Sequence, residues 1–319
     1  MEDSLNMPQP DKLRFVGPVK DPQKVESARA YLETNKVAMP PEQKKSPERE
    51  KQVEGMIEAL SEFARDELGI DLSKRIPSDD RFHFFDNDGY QKVRELHGLQ
   101  PGSVGVHSTS GHMLAKEEPV VEETLGDSQH ELIHITSYRT INLCEIESGL
   151  WTKRGHSGYA NETNQALSMI DEALTEMTNL EVMANHWQNQ QALSQMDAGN
   201  YGNIGYIEQV VVVDELVKRI ADKNGREYKD VLRELQRGKF LGEMQALRIL
   251  TGEVGKDGMK MLAKWILDPN ESIEIVQSLG LTEAQTKIQA LRQGQDVQVM
   301  ERIAPDIVHR QSARPKVLS

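Results

Sequence analysis

His130, Glu131 and His134 stand in the order His-Glu-Leu-Ile-His. On a helix, residues four apart lie one turn above each other on one face, so both imidazoles can reach the same ion. Neutral imidazole nitrogens suit zinc, and the intervening carboxylate lies beside the ion, where it can take a proton from a bound water. Leu132 and Ile133 face the other way, as a half-buried helix requires. Cys144 is the one cysteine, too few for a closed structural site of the cysteine-rich kind. A hydrolytic site wants three protein ligands and an open position, the third ligand being a His or a carboxylate from a second element.

The segment Met169-Ile170-Asp171-Glu172-Ala173-Leu174-Thr175-Glu176 meets that need. Glu172 and Glu176 are one helical turn apart, so one carboxylate can bind the metal while the other accepts the hydrogen bond that orients a ligating histidine. Asp171 can do the same for the other histidine. HELIH followed by IDEALTE resembles the gluzincins, the thermolysin-like and aminopeptidase-like zinc metallopeptidases, whose second motif is N/D-E-x-x-x-D/E on a helix downstream of HExxH. The resemblance implies one zinc ion held by His130, His134 and Glu172, with Glu131 as general base. It implies that Glu176 supports the first histidine and Asp171 the second. It rests on two short motifs and a coarse order of elements. About thirty-seven residues separate His134 from Glu172, roughly twice the gap of the best-known gluzincins. An inserted hairpin over Tyr138–Gly158 would absorb the excess, which points to a divergent family and leaves Glu176 as a competing ligand. The metzincin pattern fails, because Ile135-Thr136-Ser137-Tyr138-Arg139-Thr140 places neither Gly nor His where HExxHxxGxxH needs them.

Hydrolysis of this kind needs a further donor for the developing oxyanion, and His156, Tyr159, Tyr201 and Tyr206 are the candidates. The expected substrate is a peptide or protein, which could pair with an edge strand at Val104–His107 or His112–Lys116. Two rivals remain: an inactive zincin-fold module that binds metal in a regulatory or interaction role, and a helical interaction protein with a fortuitous motif. His83, His107 and His112 read as structural or exposed, with a groove-lining role open to one of them. Cys144 reads as a small buried thiol. GSVGVHSTSGHM lacks the order of a phosphate-binding loop.

The elements that must position these residues follow from periodicity. Val53, Met56, Ile57, Leu60, Phe63 and Ala64 form one apolar stripe and predict a helix over Pro47–Leu68, stopped by Gly69. RFHFFD reads as a strand and Gly89–Leu96 as a short helix. Ser103–His107 and His112–Lys116 form a hairpin around STSG. The HELIH helix begins near Val120, and one or two strands run from Tyr138 to about Trp151. Helices then follow over Ala166–Met183, Ile207–Lys223, Lys229–Gln236, Leu241–Thr251, Lys256–Leu267, Ser272–Ser278 and Thr282–Arg292. Val210–Val213 could be a strand, but the pattern continuing into Leu216, Val217 and Ile220 favours helix. Thr282 with Gln285 has the form of a capping box.

The expected class is α+β: a zincin-like core with a small mixed sheet and the HExxH helix, then a mainly helical C-terminal half. In residues, 1–48 is mostly disordered by composition, 49–163 is the sheet-and-HExxH subdomain, 164–292 is the helical subdomain with the third ligand, and 293–319 is a loose tail. With 37% hydrophobic and 28% charged residues there is material for a real core. A net charge of −13 argues against nucleic acid or an anionic membrane as partner. No apolar run long enough to span a membrane and no secretory leader pattern is visible, so the expected compartment is the cytoplasm.

Overall fold

In a computed structural model of the 319-residue chain, residues 14–34, 39–40, 44–99, 103–108, 110–146, 149–161, 164–197, 205–295 and 297 are described. Among them are ten α-helices and seven strands in two small mixed sheets, an α+β architecture. No helix among them is long and apolar enough to cross a membrane.

Local chemistry sets the first elements. Helix α2 (Pro47–Leu68) starts where Ser46 accepts a hydrogen bond from the Arg49 amide, has Pro47 in its first turn, and ends on Gly69 at φ 62°; this is the Ser-cap, Pro-start, Gly-stop pattern. Strand β2 (Phe82–Phe85) is buried along its whole length. It leads into α3 (Asn87–His97), which Asp86 caps by accepting from the Gly89 amide. Strands β3 (Gly105–His107) and β4 (Met113–Lys116) form the expected antiparallel hairpin, and β4 also pairs in parallel with β2. The order is β2-β4-β3, which leaves β3 at the edge. Helix α4 (Val121–Thr136) carries the HELIH segment.

Between the two motif helices lies the second sheet. Strands β5 (Arg139–Ile146) and β6 (Gly149–Ser157) make the hairpin expected over Tyr138–Gly158, with β7 (Ala160–Asn161) beyond it. Part of the segment 1–48, expected from composition to be mostly disordered, is folded among its described residues. Its described residues include β1 (Arg14–Val16), paired in parallel with β5, and α1 (Pro22–Thr34), whose Leu32 is buried with Ile141. A short polar segment has little reason to fold alone, but β5 offers it an edge to pair with.

The second half is helical: α5 (Ser168–Asn185), α6 (Ile207–Asn224), α7 (Tyr228–Leu241), α8 (Arg248–Lys264), α9 (Pro269–Ser278) and α10 (Thr282–Arg292). Val210–Val213 lie in α6 and are all buried. Helix α8 breaks at Gly255 (φ 72°, ψ 177°), between the two helices that periodicity suggested. The capping box at Thr282 does not form. Instead the Glu215 carboxylate, held by Arg219, accepts from the Ala284 amide at 2.6 Å, a charged acceptor being stronger than a hydroxyl. One apolar cluster runs from Val53 through Leu132 and Leu174 to Leu291, so both halves share a core. Most of the expected tail 293–319 lies outside the described residues.

Helices α4 and α5 are joined by a buried amide network. Gln129 Nε2 donates to Asn179 Oδ1 at 2.9 Å, Asn179 Nδ2 donates to the Gly126 carbonyl at 3.1 Å, and Trp187 Nε1 donates to Gln129 Oε1. Asn179→Ala removes the 2.9 Å acceptor of the buried Gln129 amide, leaving it the Asn179 carbonyl at 3.3 Å, and takes away the side-chain donor to the Gly126 carbonyl. It should cost about 1–3 kcal/mol, read as a lower urea midpoint with an unchanged m value.

Candidate metal centre

On α4, Leu132, Ile133 and Ile135 turn into the core and are essentially unexposed, while His130 and His134 face α5. On α5, Ile170, Ala173, Leu174 and Met177 are buried in the same core, which turns Glu172 and Glu176 toward the imidazoles. His130 Nε2 lies 3.2 Å from His134 Nε2, and Glu172 Oε2 lies 3.2 Å from the first and 3.1 Å from the second. Three donor atoms thus form a nearly equilateral triangle. A tetrahedral ion about 2.0–2.1 Å from its ligands needs them about 3.3–3.4 Å apart. The residues fit a small divalent metal, and His130, His134 and Glu172 are the group among the described residues that could hold one.

The carboxylates behind the imidazoles separate ligand from support. Glu176 Oε2 is 2.6 Å from His130 Nδ1, and Asp171 Oδ2 is 3.5 Å from His134 Nδ1. Each partner occupies the ring nitrogen that points away from the triangle and leaves Nε2 for the ion. Glu176 therefore meets the outer nitrogen of His130, whereas Glu172 meets the Nε2 atoms of both rings. Asp171 is in turn fixed by the Tyr159 amide at 2.7 Å and by the wholly buried Lys239 Nζ at 2.6 Å. Burial opposes its ionisation, but the Lys239 and His134 charges hold it below the usual carboxylate range. Lys239 carries no sequence signal beyond its place in an amphipathic helix.

Glu131, the sequence-predicted base, lies beside the triangle with a 13% exposed side chain. His107, which reads from sequence as structural or exposed, is 2.7 Å from it (Nδ1 to Oε2), and its ring stacks on His134 with centroids 5.3 Å apart. Burial pushes the Glu131 carboxyl up, and the His107 hydrogen bond and charge more than reverse this, leaving it lowered. Gly105 on the same strand makes room, since a Cβ there would sit 3.0 Å from Glu131 Cγ. A histidine on the strand that packs against the HExxH helix was the available clue.

Of the four oxyanion candidates, Tyr206 stacks on His130, with centroids 5.9 Å apart and planes 14° from parallel. Its backbone is left-handed at φ 54°, a strained conformation for a non-glycine residue. The negative charge of Glu172 and then burial raise its phenol pKa. Tyr159 is spent on structure, its hydroxyl donating to the Leu235 carbonyl at 2.9 Å. His156 sits on β6 against Thr140, and Tyr201 lies outside the described residues. Elsewhere, His83 pairs with His112 at 2.9 Å and Cys144 is half-buried on β5.

No family model, curated protein or solved structure matches the chain.

Burial lowers the basicity of both imidazoles, but Glu172 and Glu176 lift His130 well above its ordinary value, and Glu172 and Asp171 lift His134. A metal must displace those protons. Metal uptake should release protons, and affinity should fall as pH drops through the raised histidine values, by up to about two log units per pH unit; titrations in buffers of different ionisation enthalpy measure this. Glu176→Gln should weaken affinity about 10–100-fold, measured by competition with a chromogenic chelator.

Proposed function

We propose that this protein is a zinc-dependent metallopeptidase of a divergent, gluzincin-like kind, with His130, His134 and Glu172 as ligands and Glu131 as general base. The observation that carries the proposal is the triangle of donor atoms with 3.1–3.2 Å edges and a fourth side chain, the acidic Glu131, poised beside it. Three protein ligands of His₂Glu type are the composition of hydrolytic zinc sites. When bound, zinc would supply Lewis acidity at the scissile carbonyl and lower the pKa of the attacking water toward neutrality.

The chain's own groups do the rest. Glu131, ionised and oriented by His107, takes the water proton and hands it to the leaving amine. Tyr206, kept protonated by its acidic surroundings, offers its hydroxyl to the developing oxyanion. Strand β3 is at the edge of its sheet and carries Gly105 and His107 against Glu131. An extended peptide added along that edge would pass the base, which favours peptide as the substrate.

Glu131→Gln should retain one equivalent of zinc while peptide hydrolysis falls by about 10²–10⁴ or more. Tyr206→Phe should lower kcat by about 10²–10³ with zinc content unchanged. Metal analysis and cleavage of a mixed peptide library check both. Zinc-loaded wild type that cleaves no peptide would shift the assignment to a non-catalytic metal-binding module, and failure to hold more than a tenth of an equivalent of any transition metal would remove both.

A further inference from the structure

Lys239, near the end of α7, is a cation whose side chain is wholly buried, and the proposed hydrolysis gives it no task. Taking an ammonium out of water is costly, and a buried ion pair adds little stability over apolar residues of the same volume. A core that needed only volume at this position would be served by Leu or Met. The reason for a charge lies in what it touches. Lys239 Nζ donates to Asp171 Oδ2 at 2.6 Å and to the Asp171 carbonyl at 3.4 Å, so it grips one residue twice. Asp171 directly precedes Glu172, and the oxygen that takes Lys239 is the one 3.5 Å from His134 Nδ1. The other oxygen, Oδ1, accepts from the Tyr159 amide at 2.7 Å.

The two imidazoles of the proposed metal site are therefore backed unequally. Behind His130, Glu176 Oε2 stands at 2.6 Å, and Glu176 Oε1 is buried with no hydrogen-bond partner among the described residues. Behind His134, the carboxylate stands farther off, at 3.5 Å, and is already ion-paired to Lys239 and bonded to the Tyr159 amide. A carboxylate close to Nδ1–H makes the metal-facing nitrogen a more basic ligand. One drawn toward an ammonium does so less.

We propose that Lys239 is a positioning residue of the metal site. It draws Asp171 away from His134 and offsets its charge, so that His134 is the less basic ligand and a bound metal stays electron-poor. The proposal rests on the metal-site reading. Its consequence is a weaker hold on the ion and a stronger pull on the scissile carbonyl.

Lys239→Met, close in volume and without charge, tests it in the full chain. Zinc affinity is measured by competition with a chromogenic chelator on the alkaline plateau, where it no longer changes with pH and protons do not compete. There the variant should bind zinc about tenfold more tightly than wild type, because an unanswered carboxylate then faces the ion. Its kcat per bound zinc should fall by about tenfold while KM stays within about twofold. A lysine that only filled space would give the opposite sign, weaker zinc binding from a disturbed site. Wild type supplies a second arm that needs no variant. In histidine-labelled, zinc-loaded protein, nuclear magnetic resonance should place the Nδ1–H proton of His130 well downfield of that of His134, as its shorter bond to a carboxylate requires. Equal proton shifts, or Lys239→Met binding zinc no more tightly than wild type, would overturn the role of Lys239 and leave the metal site standing. Wild type that holds no zinc would remove both. If Lys239→Met does not fold, the proton shifts decide alone.

Discussion

Helices α4 and α5 meet through apolar side chains on one stripe and through charged ones on the next, and the second contact makes the site. Asp171, Glu172 and Glu176 on α5 and Glu131 on α4 bring four carboxylates into a region whose buried cation is Lys239. Such a concentration of negative charge away from water is unfavourable unless positive charge is supplied. Against the burial that lowers them, Glu172 and Glu176 raise the His130 imidazole, and Glu172 and Asp171 raise that of His134, above the ordinary value. The proposed metal-loaded form, a divalent ion with two neutral imidazoles, would carry the same net charge as a form with both imidazoles protonated. Glu176 Oε1, buried without a hydrogen-bond partner among the described residues, is the residual sign of the excess.

Geometry at the other end is held by an arrangement that only glycine permits. Gly158, at φ 55°, follows the β5–β6 hairpin, and a Cβ there would fall 2.2 Å from Asp171 Oδ1 and 2.9 Å from Lys239 Nζ. The Gly158 amide donates to the Tyr138 carbonyl, and the Tyr138 amide to the Lys239 carbonyl. The long insertion between the two motifs is therefore sewn back onto α7 where it re-enters the site. It brings Asp171 to the Lys239 ammonium and so connects the hairpin, α5 and α7 to the orientation of His134. A thirty-seven-residue gap costs little loop entropy, which grows only logarithmically with length, provided the ends are fixed in this way.

Much of the helical framework was legible because its signals are local. Ser46, Pro47 and Gly69 mark the ends of α2, and the spacing of Val210–Ile220 gives α6 despite its β-branched residues. The exceptions are those where a partner distant in sequence intervenes. Glu215 replaces the Thr282 capping box, and β5 recruits a segment that composition marks as disordered.

The sequence by itself determined that His130 and His134 share one helical face, with Glu131 beside it, because residues four apart on a helix lie one turn above each other. It also pointed to one turn of α5 for the proposed third ligand. Only the tertiary structure distinguishes Glu172, which meets both Nε2 atoms, from Glu176, which meets His130 Nδ1, since residues one turn apart on a helix face the same way. It likewise brought Tyr206 to His130 and not Tyr159, and set His107 against Glu131. Those relations depend on the distances between elements, which packing fixes and periodicity does not encode.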